Sequence, residues 1–169
     1  MLDEQIKPDH YIMAENMKKL ELKIPPVAVM VIVGTAIWLV SIVLPKMHLC
    51  DTFHAAMVVI FAAIGAAFGI TGLLSFSKAK TTFDPMKPDS STSLVTSGIY
   101  SITRNPMYVG LLSFLTAWCF FVESAYALLL LAAFVIYMNK FQIQPEERAL
   151  RSIFGDVYDD YVLRVRRWL

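Results

Sequence analysis

Two runs with no Asp, Glu, Lys or Arg, 24–44 and 53–76, leave this chain few ways to fold. Each matches the roughly 20 residues an α-helix needs to cross a hydrocarbon core about 30 Å thick. Inside that core every backbone N–H and C=O must be satisfied within the protein, which a helix achieves by itself. A further apolar stretch, 107–122, breaks at Glu123 and Ser124 and resumes over 125–143, the pattern of a tight helical hairpin. Its first arm is short for a full span and fits an upright helix or a slightly thinned bilayer. The expected fold is therefore all-α, a polytopic membrane bundle of about four transmembrane helices ending in a tight hairpin, with amphipathic helices in the tail. It divides into an interfacial segment (1–23), the first two spans (24–76) and a region expected to hold the chemistry (77–169).

Composition agrees and excludes several classes. With 57% hydrophobic and 17% charged residues and a mean hydropathy of +0.57, the chain lies outside the range of an ordinary soluble domain. A net charge of +1, spread in blocks between apolar runs, gives no nucleic-acid-binding patch. The first 23 residues carry Asp3, Glu4, Lys7, Asp9, Glu15, Lys18, Lys19, Glu21 and Lys23, so no cleavable signal peptide is expected. Cys50 and Cys119 lack metal-site spacing and form no ligand set with His10, His48 and His54, so no metal is expected and the thiols are read as unpaired. In the second run Gly65 and Gly69, among Ala62, Ala63, Ala66 and Ala67, form a small-xxx-small face that lets two helices approach closely.

Orientation follows from the basic residues. Segments 1–23, 77–106 and 140–169 hold fourteen of the fifteen Lys and Arg, and only Lys46 lies between the first two spans. Four crossings put those three segments on one side, which the positive-inside rule makes cytoplasmic, as in a bacterial inner membrane. Both termini and any polar site are expected there.

Two polar clusters fall on that side. The first is Gly98, Tyr100, Arg104, Asn105, Pro106 and Tyr108, closing a long Ser-, Thr- and Pro-containing loop. Taken alone, Arg104 and Asn105 read as interfacial snorkelling and helix capping. The second cluster opens the tail. Pro145 suits a first helical position, Glu146 and Glu147 the positive end of a helix dipole, Gly155 a stop and Asp156 a new cap. Glu147 and Arg151, four apart, can form a solvated pair. Beyond, Val157, Tyr158, Tyr161, Val162, Val165 and Trp168 form one face, opposed by Asp159, Asp160, Arg164, Arg166 and Arg167.

Together the clusters resemble the isoprenylcysteine carboxyl methyltransferases and, more loosely, the phospholipid methyltransferases. The first is similar to their Arg-His/Asn-Pro-x-Tyr motif; Glu146, Glu147, Leu150, Phe154, Gly155, Tyr158 and Tyr161 are similar to the second. The resemblance covers about 94–166. It implies S-adenosylmethionine as methyl donor, bound by Gly98, Tyr100, Arg104, Asn105, Tyr108, Glu146 and Glu147. Arg104, Glu147 and Arg151 are the candidate catalytic residues, with Glu147 the nearest base if the acceptor is an amine or hydroxyl and Arg148 or Arg151 orienting an anionic one. Asn105 stands where the eukaryotic prenylcysteine enzymes carry His, and Arg166 and Arg167 follow Val165 where relatives have Pro-Arg. The acceptor therefore stays open among an isoprenoid, a prenylcysteine-like carboxylate and a phospholipid. No Gly-x-Gly-x-x-Gly occurs, so a Rossmann-type methyltransferase domain is not expected. The rival readings are an NADPH-dependent membrane lipid reductase and a non-catalytic scaffold or transporter. A transporter is disfavoured by the absence of Asp, Glu, Lys and Arg inside the apolar runs before Lys140.

Overall fold

A computed structural model describes residues 21–46, 50–78 and 93–169. The expected interfacial helix before residue 21 and most of the polar loop lie outside them. Among the described residues six α-helices follow in order: α1 (Pro26–Val43), α2 (Asp51–Lys78), α3 (Pro106–Phe121), α4 (Ala127–Met138), α5 (Gln144–Phe154) and α6 (Asp156–Arg164). Among the described residues there is no strand, only one isolated parallel bridge between Thr103 and Arg166.

The chain is an all-α membrane bundle. Pro26–Val43, Asp51–Ser77 and Ala127–Phe154 are long and apolar enough to cross a bilayer, while Pro106–Phe121 is apolar but shorter. Large apolar side chains such as Val43, Leu129 and Ile136 point outwards and stay exposed, because lipid replaces water as their solvent. Hydroxyls within the spans return to their own helices: Thr35 donates to the Val31 carbonyl at 2.9 Å and Ser113 to Val109 at 2.8 Å.

Pro25 and Pro26 start α1, where a missing N–H costs nothing. α3 is the spine, with α2 packed along one flank and α1 and α4 on the other. Ile37, Tyr108, Leu115, Phe134, Met138 and Ile143 form the buried core. The Trp118 indole donates to the Gly34 carbonyl at 3.0 Å, tying α3 to α1. The glycine face of α2 is used as its pattern suggests: a β-carbon on Gly110 would stand 3.0 Å from the Gly65 carbonyl oxygen and 3.2 Å from the Gly69 nitrogen. Gly110→Ala is therefore expected to push α2 and α3 apart, costing about 1–3 kcal/mol. Thermal unfolding of the detergent-solubilised variant should begin several degrees lower; an unchanged midpoint would refute the close approach.

The hairpin turns where the sequence breaks. Glu123 takes a left-handed conformation, φ 57°, and the Ser124 N–H reaches the Cys119 carbonyl at 3.3 Å. His54 of α2 pairs with Glu123 at 3.5 Å across this end, and Cys50 and Cys119 are both free thiols.

The structure departs from the sequence reading at Pro145. The tail does not start a separate helix there. α4 runs into α5 through a π-helical turn, Asn139–Ile143, as one uninterrupted helix. Proline lacks the N–H that would close the preceding turn and its ring crowds the carbonyls before it, so the backbone widens instead of stopping. The apolar portion, 127–143, has Lys140 as its single charged residue, and the crossing ends there. α5 continues it into the polar rim.

Candidate functional site

The last residues before α3 turn sharply. Gly98 opens a 3-10 turn, Gly98–Ser101, at φ 64°, where a side chain would be strained. Behind it Tyr100 is buried edge-on to Phe76 of α2, with ring centres 5.3 Å apart. The Tyr161 hydroxyl donates to the Tyr100 carbonyl at 2.6 Å, the first of several bonds joining this turn to the tail.

Residues 103–105 form a short extended seam against the chain end. The Arg104 N–H donates to the Arg166 carbonyl at 2.9 Å, and the Thr103 hydroxyl and Asn105 Nδ2 both donate to the Arg167 carbonyl, at 3.1 and 2.9 Å. Asn105 precedes α3 but makes no side-chain cap, because its amide is committed to the tail. The capping expectation for Asn105 is thus corrected. At Gly155 the backbone is left-handed, φ 51°, and this glycine, not Asp156, occupies the cap of α6.

The Arg104 guanidinium sits at the carboxy-terminal end of α6. Its Nη1 donates to the Val162 and Val165 carbonyls at 3.2 and 2.6 Å, satisfying groups that the end of a helix leaves unpaired. Its Nη2 donates to Glu147 Oε1 at 2.8 Å. Glu147 also receives Arg167 through both oxygens, Nε to Oε1 at 3.0 Å and Nη2 to Oε2 at 2.6 Å, a two-pronged charged contact. The side chains of Arg104 and Glu147 are only 9% and 14% exposed, so one buried carboxylate balances a buried cation and the half-buried Arg167. Arg104 Nε is buried with no protein partner among the described residues. Next to this junction the Tyr108 hydroxyl donates to Glu146 Oε1.

The two glutamates are driven in opposite directions. Burial pushes the Glu146 carboxyl up to about 8, against the Tyr108 hydrogen bond that lowers it and with the neighbouring Glu147 charge that raises it. Burial also raises Glu147, but hydrogen bonds from Arg167 and Arg104 outweigh it and hold the carboxyl below its ordinary value. Burial pushes the Tyr158 phenol up to about 12 and raises that of Tyr161 further, so both stay neutral donors. For Glu146 the folded state keeps a proton that the unfolded chain has lost, so stability falls as pH rises from the ordinary carboxyl range towards about 8. Glu146→Gln should flatten the unfolding midpoint between pH 5 and 8, roughly the span of that titration; an unaltered slope would refute it.

Not every candidate joins the junction. Arg151 is exposed and donates from Nε to Asp159 Oδ1 at 2.6 Å, so the expected Glu147–Arg151 pair does not form. Its guanidinium carbon stands 5.8 Å over the Tyr158 ring. Arg148 pairs with Glu21 at the rim. Sequence reasoning gave Arg167 to a solvated face and passed over Thr103, Asn139 and Gln142. Asn139 and Gln142 lie in the π turn, where Asn139 Oδ1 accepts from the Trp168 indole at 3.0 Å and Gln142 Nε2 donates to the Ile24 carbonyl at 2.6 Å. The usable signal was a pair of amides within an apolar run directly ahead of a proline.

Comparison with known proteins bears on this site. The sequence profile of the family described as phospholipid methyltransferase matches residues 51–157. An uncharacterized protein of Haemophilus influenzae is 44% identical over 63 residues, covering 37% of this chain and all of that protein. No solved structure matches.

Proposed function

The chain belongs to the phospholipid methyltransferase family, and on that premise we propose that this membrane methyltransferase takes its methyl group from S-adenosylmethionine and passes it to a lipophilic acceptor. The observation that carries the reading is the meeting of the two polar clusters, with Arg104 2.8 Å from Glu147 and Tyr108 bonded to Glu146.

The residues present suit such a donor. It carries a carboxylate, an ammonium, a ribose diol, an adenine and a sulfonium. The unpaired Arg104 Nε–H offers a donor for an anionic group and the Glu146 carboxyl a partner for an ammonium or a diol. When bound, the sulfonium supplies an electrophilic methyl whose transfer is an in-line displacement. What the protein adds is placement and exclusion of water. Arg104 and Arg167, spent largely on Glu147 and on tail carbonyls, hold the carboxy-terminal segment over the rim and act as positioning residues. Glu146 and Tyr108 lie beside the junction, and Glu146, its carboxyl pushed up to about 8 by burial, holds a proton at neutral pH and can take one from an amine or hydroxyl acceptor only once ionised, towards alkaline pH. A carboxylate acceptor needs no base. The orientation proposed for this machinery is cytoplasmic, in a bacterial inner membrane, where a water-soluble donor arrives from one side and a greasy acceptor from the lipid.

Ligand-induced stabilisation tests the donor. A ligand at 100 times its Kd is expected to add about 2.7 kcal/mol. S-adenosylhomocysteine should therefore raise the unfolding midpoint and NADPH should not; the reverse pattern would replace this reading with a lipid reductase.

A further inference from the structure

α1 and α2 stand on opposite flanks of α3 without substantial contact with one another; one apolar hollow lies between α1 and α3, and a second lies where α1, α2 and α3 come together. The larger, about 610 Å³, is bounded by Met30, Gly34, Trp38, Leu115 and Trp118, and the smaller, about 180 Å³, by Pro26, Gly65, Gly69, Met107, Tyr108 and Gly110. Phe114 lines both, so the two adjoin there as one gap along α3. We propose that this gap is the channel by which a single apolar chain of the acceptor leaves the bilayer and reaches Tyr108, and that Gly69 sets its bore. This deepens the methyltransferase reading and rests on it: the acceptor is a lipid that commits one chain to the protein while its head group stays at the polar rim.

Three observations carry the choice of occupant. The walls are almost wholly apolar, and Thr35, a hydroxyl among them, is already bonded to Val31. The gap lies between helices whose outer faces are solvated by lipid, so its mouth opens on acyl chains and not on water. Its inner end is Tyr108, the residue whose hydroxyl touches Glu146 at the junction. The inner hollow is smaller than the roughly 300–1,000 Å³ of a pocket that encloses a whole ligand. It fits a length of chain, not a head group or a pair of chains.

Gly69 differs from the glycines beside it. A β-carbon on Gly65 would meet the Phe114 ring at 3.0 Å, and one on Gly110 would strike the α2 backbone, whereas one on Gly69 would meet nothing within 4 Å. Since Gly69 also lines the hollow, a side chain there grows into the channel without prying the helices apart.

The test uses the protein in nanodiscs containing a phosphatidylethanolamine with a photoactivatable diazirine on one acyl chain. In the parent, adducts are expected on Met107, Leu111 and Phe114. Gly69→Leu should lower them by about tenfold, the scale on which a pocket rejects excess volume, while adducts on the lipid-facing Leu128 and Leu129 stay constant. Gly69→Ala, which adds one methyl group to open space, should give a smaller loss and serves as the check that the fold is retained. Equal labelling of the channel residues in parent and Gly69→Leu overturns the proposal, as does a parent in which those residues are shielded by a second copy of the chain. Binding of S-adenosylhomocysteine is measured on the same samples. Channel labelling that responds to Gly69 in a protein that binds no S-adenosylhomocysteine sustains the channel and refutes the methyl donor.

Discussion

Replacing Arg104 with alanine is expected to release the carboxy-terminal tail from the membrane helices and to abolish methyl transfer. One guanidinium makes three of the tail's attachments, to the Val162 and Val165 carbonyls and to Glu147. Removing it exposes unpaired carbonyls at the end of α6 and leaves Glu147 to Arg167 alone. Breaking a buried charged pair by deleting one partner costs about 3–5 kcal/mol, more than the remaining seam of backbone bonds at residues 103–105 can absorb without loosening. The membrane helices should remain inserted, because Arg104 contacts none of the buried apolar core. Amide hydrogen exchange therefore distinguishes the regions: protection in 156–167 should collapse while that in α1 and α4 is unchanged. Lysine should not rescue, since an ammonium cannot serve two carbonyls and a carboxylate in the planar fork that the guanidinium spans. Retained tail protection in Arg104→Ala would show that the attachment lies elsewhere.

Glu147→Gln should have a comparable effect through the opposite charge. The carboxylate accepts three bonds from two guanidiniums, and an amide of the same shape turns its NH2 towards one of them. Two cations then face each other with no anion between them, so donor binding and tail docking should both fail. Arg167→Ala alone should do less, because Glu147 keeps Arg104, and the combined Arg167→Ala, Glu147→Gln protein should be less damaged than the sum of the two single changes. That non-additivity identifies a coupled junction; strictly additive losses would contradict it. The same group sets an acid limit. Because the Glu147 carboxyl is held below its ordinary value in the fold, its contribution is present above the ordinary carboxyl range. It is lost as pH falls through the lowered value, where the folded state must take up a proton that the unfolded chain binds more readily. In Glu147→Gln that loss on the acid side should disappear.

Much of the membrane architecture is legible in the residues because apolar length and freedom from charge are what a bilayer tests. The spans at 24–44 and 53–76, the break at Glu123 and Ser124 and the stop at Gly155 all follow from local chemistry. The glycine face of α2 was legible as a packing face, but not which glycine touches α3 and which looks into open space, since that depends on how the helices rotate. The continuous α4–α5 helix was not legible, because proline at a first helical position and proline behind a π turn carry the same local signature. The site divides in the same way. Resemblance to the methyltransferase motifs brought Arg104, Tyr108, Glu146 and Glu147 forward; taken alone, Arg104 read as snorkelling and Glu147 as half of a solvated pair. Arg167, on a helix face rich in charge, looked solvated until the extended backbone at Val165 turned it inwards towards Glu147. Arg151 looked like the partner of Glu147 by spacing, yet Asp159 of α6 takes it because the turn at Gly155 folds α6 back beside α5.

The central claim is that the rim between residues 98–108 and the start of α5 holds the methyl donor. Irradiating the protein in nanodiscs with methyl-labelled S-adenosylmethionine and mapping the labelled peptides tests it most directly. The label is expected on Tyr100, Tyr108 or the segment 144–151, and excess S-adenosylhomocysteine should suppress it. Label confined to peptides away from this rim, or label that NADPH displaces and S-adenosylhomocysteine does not, would contradict the account.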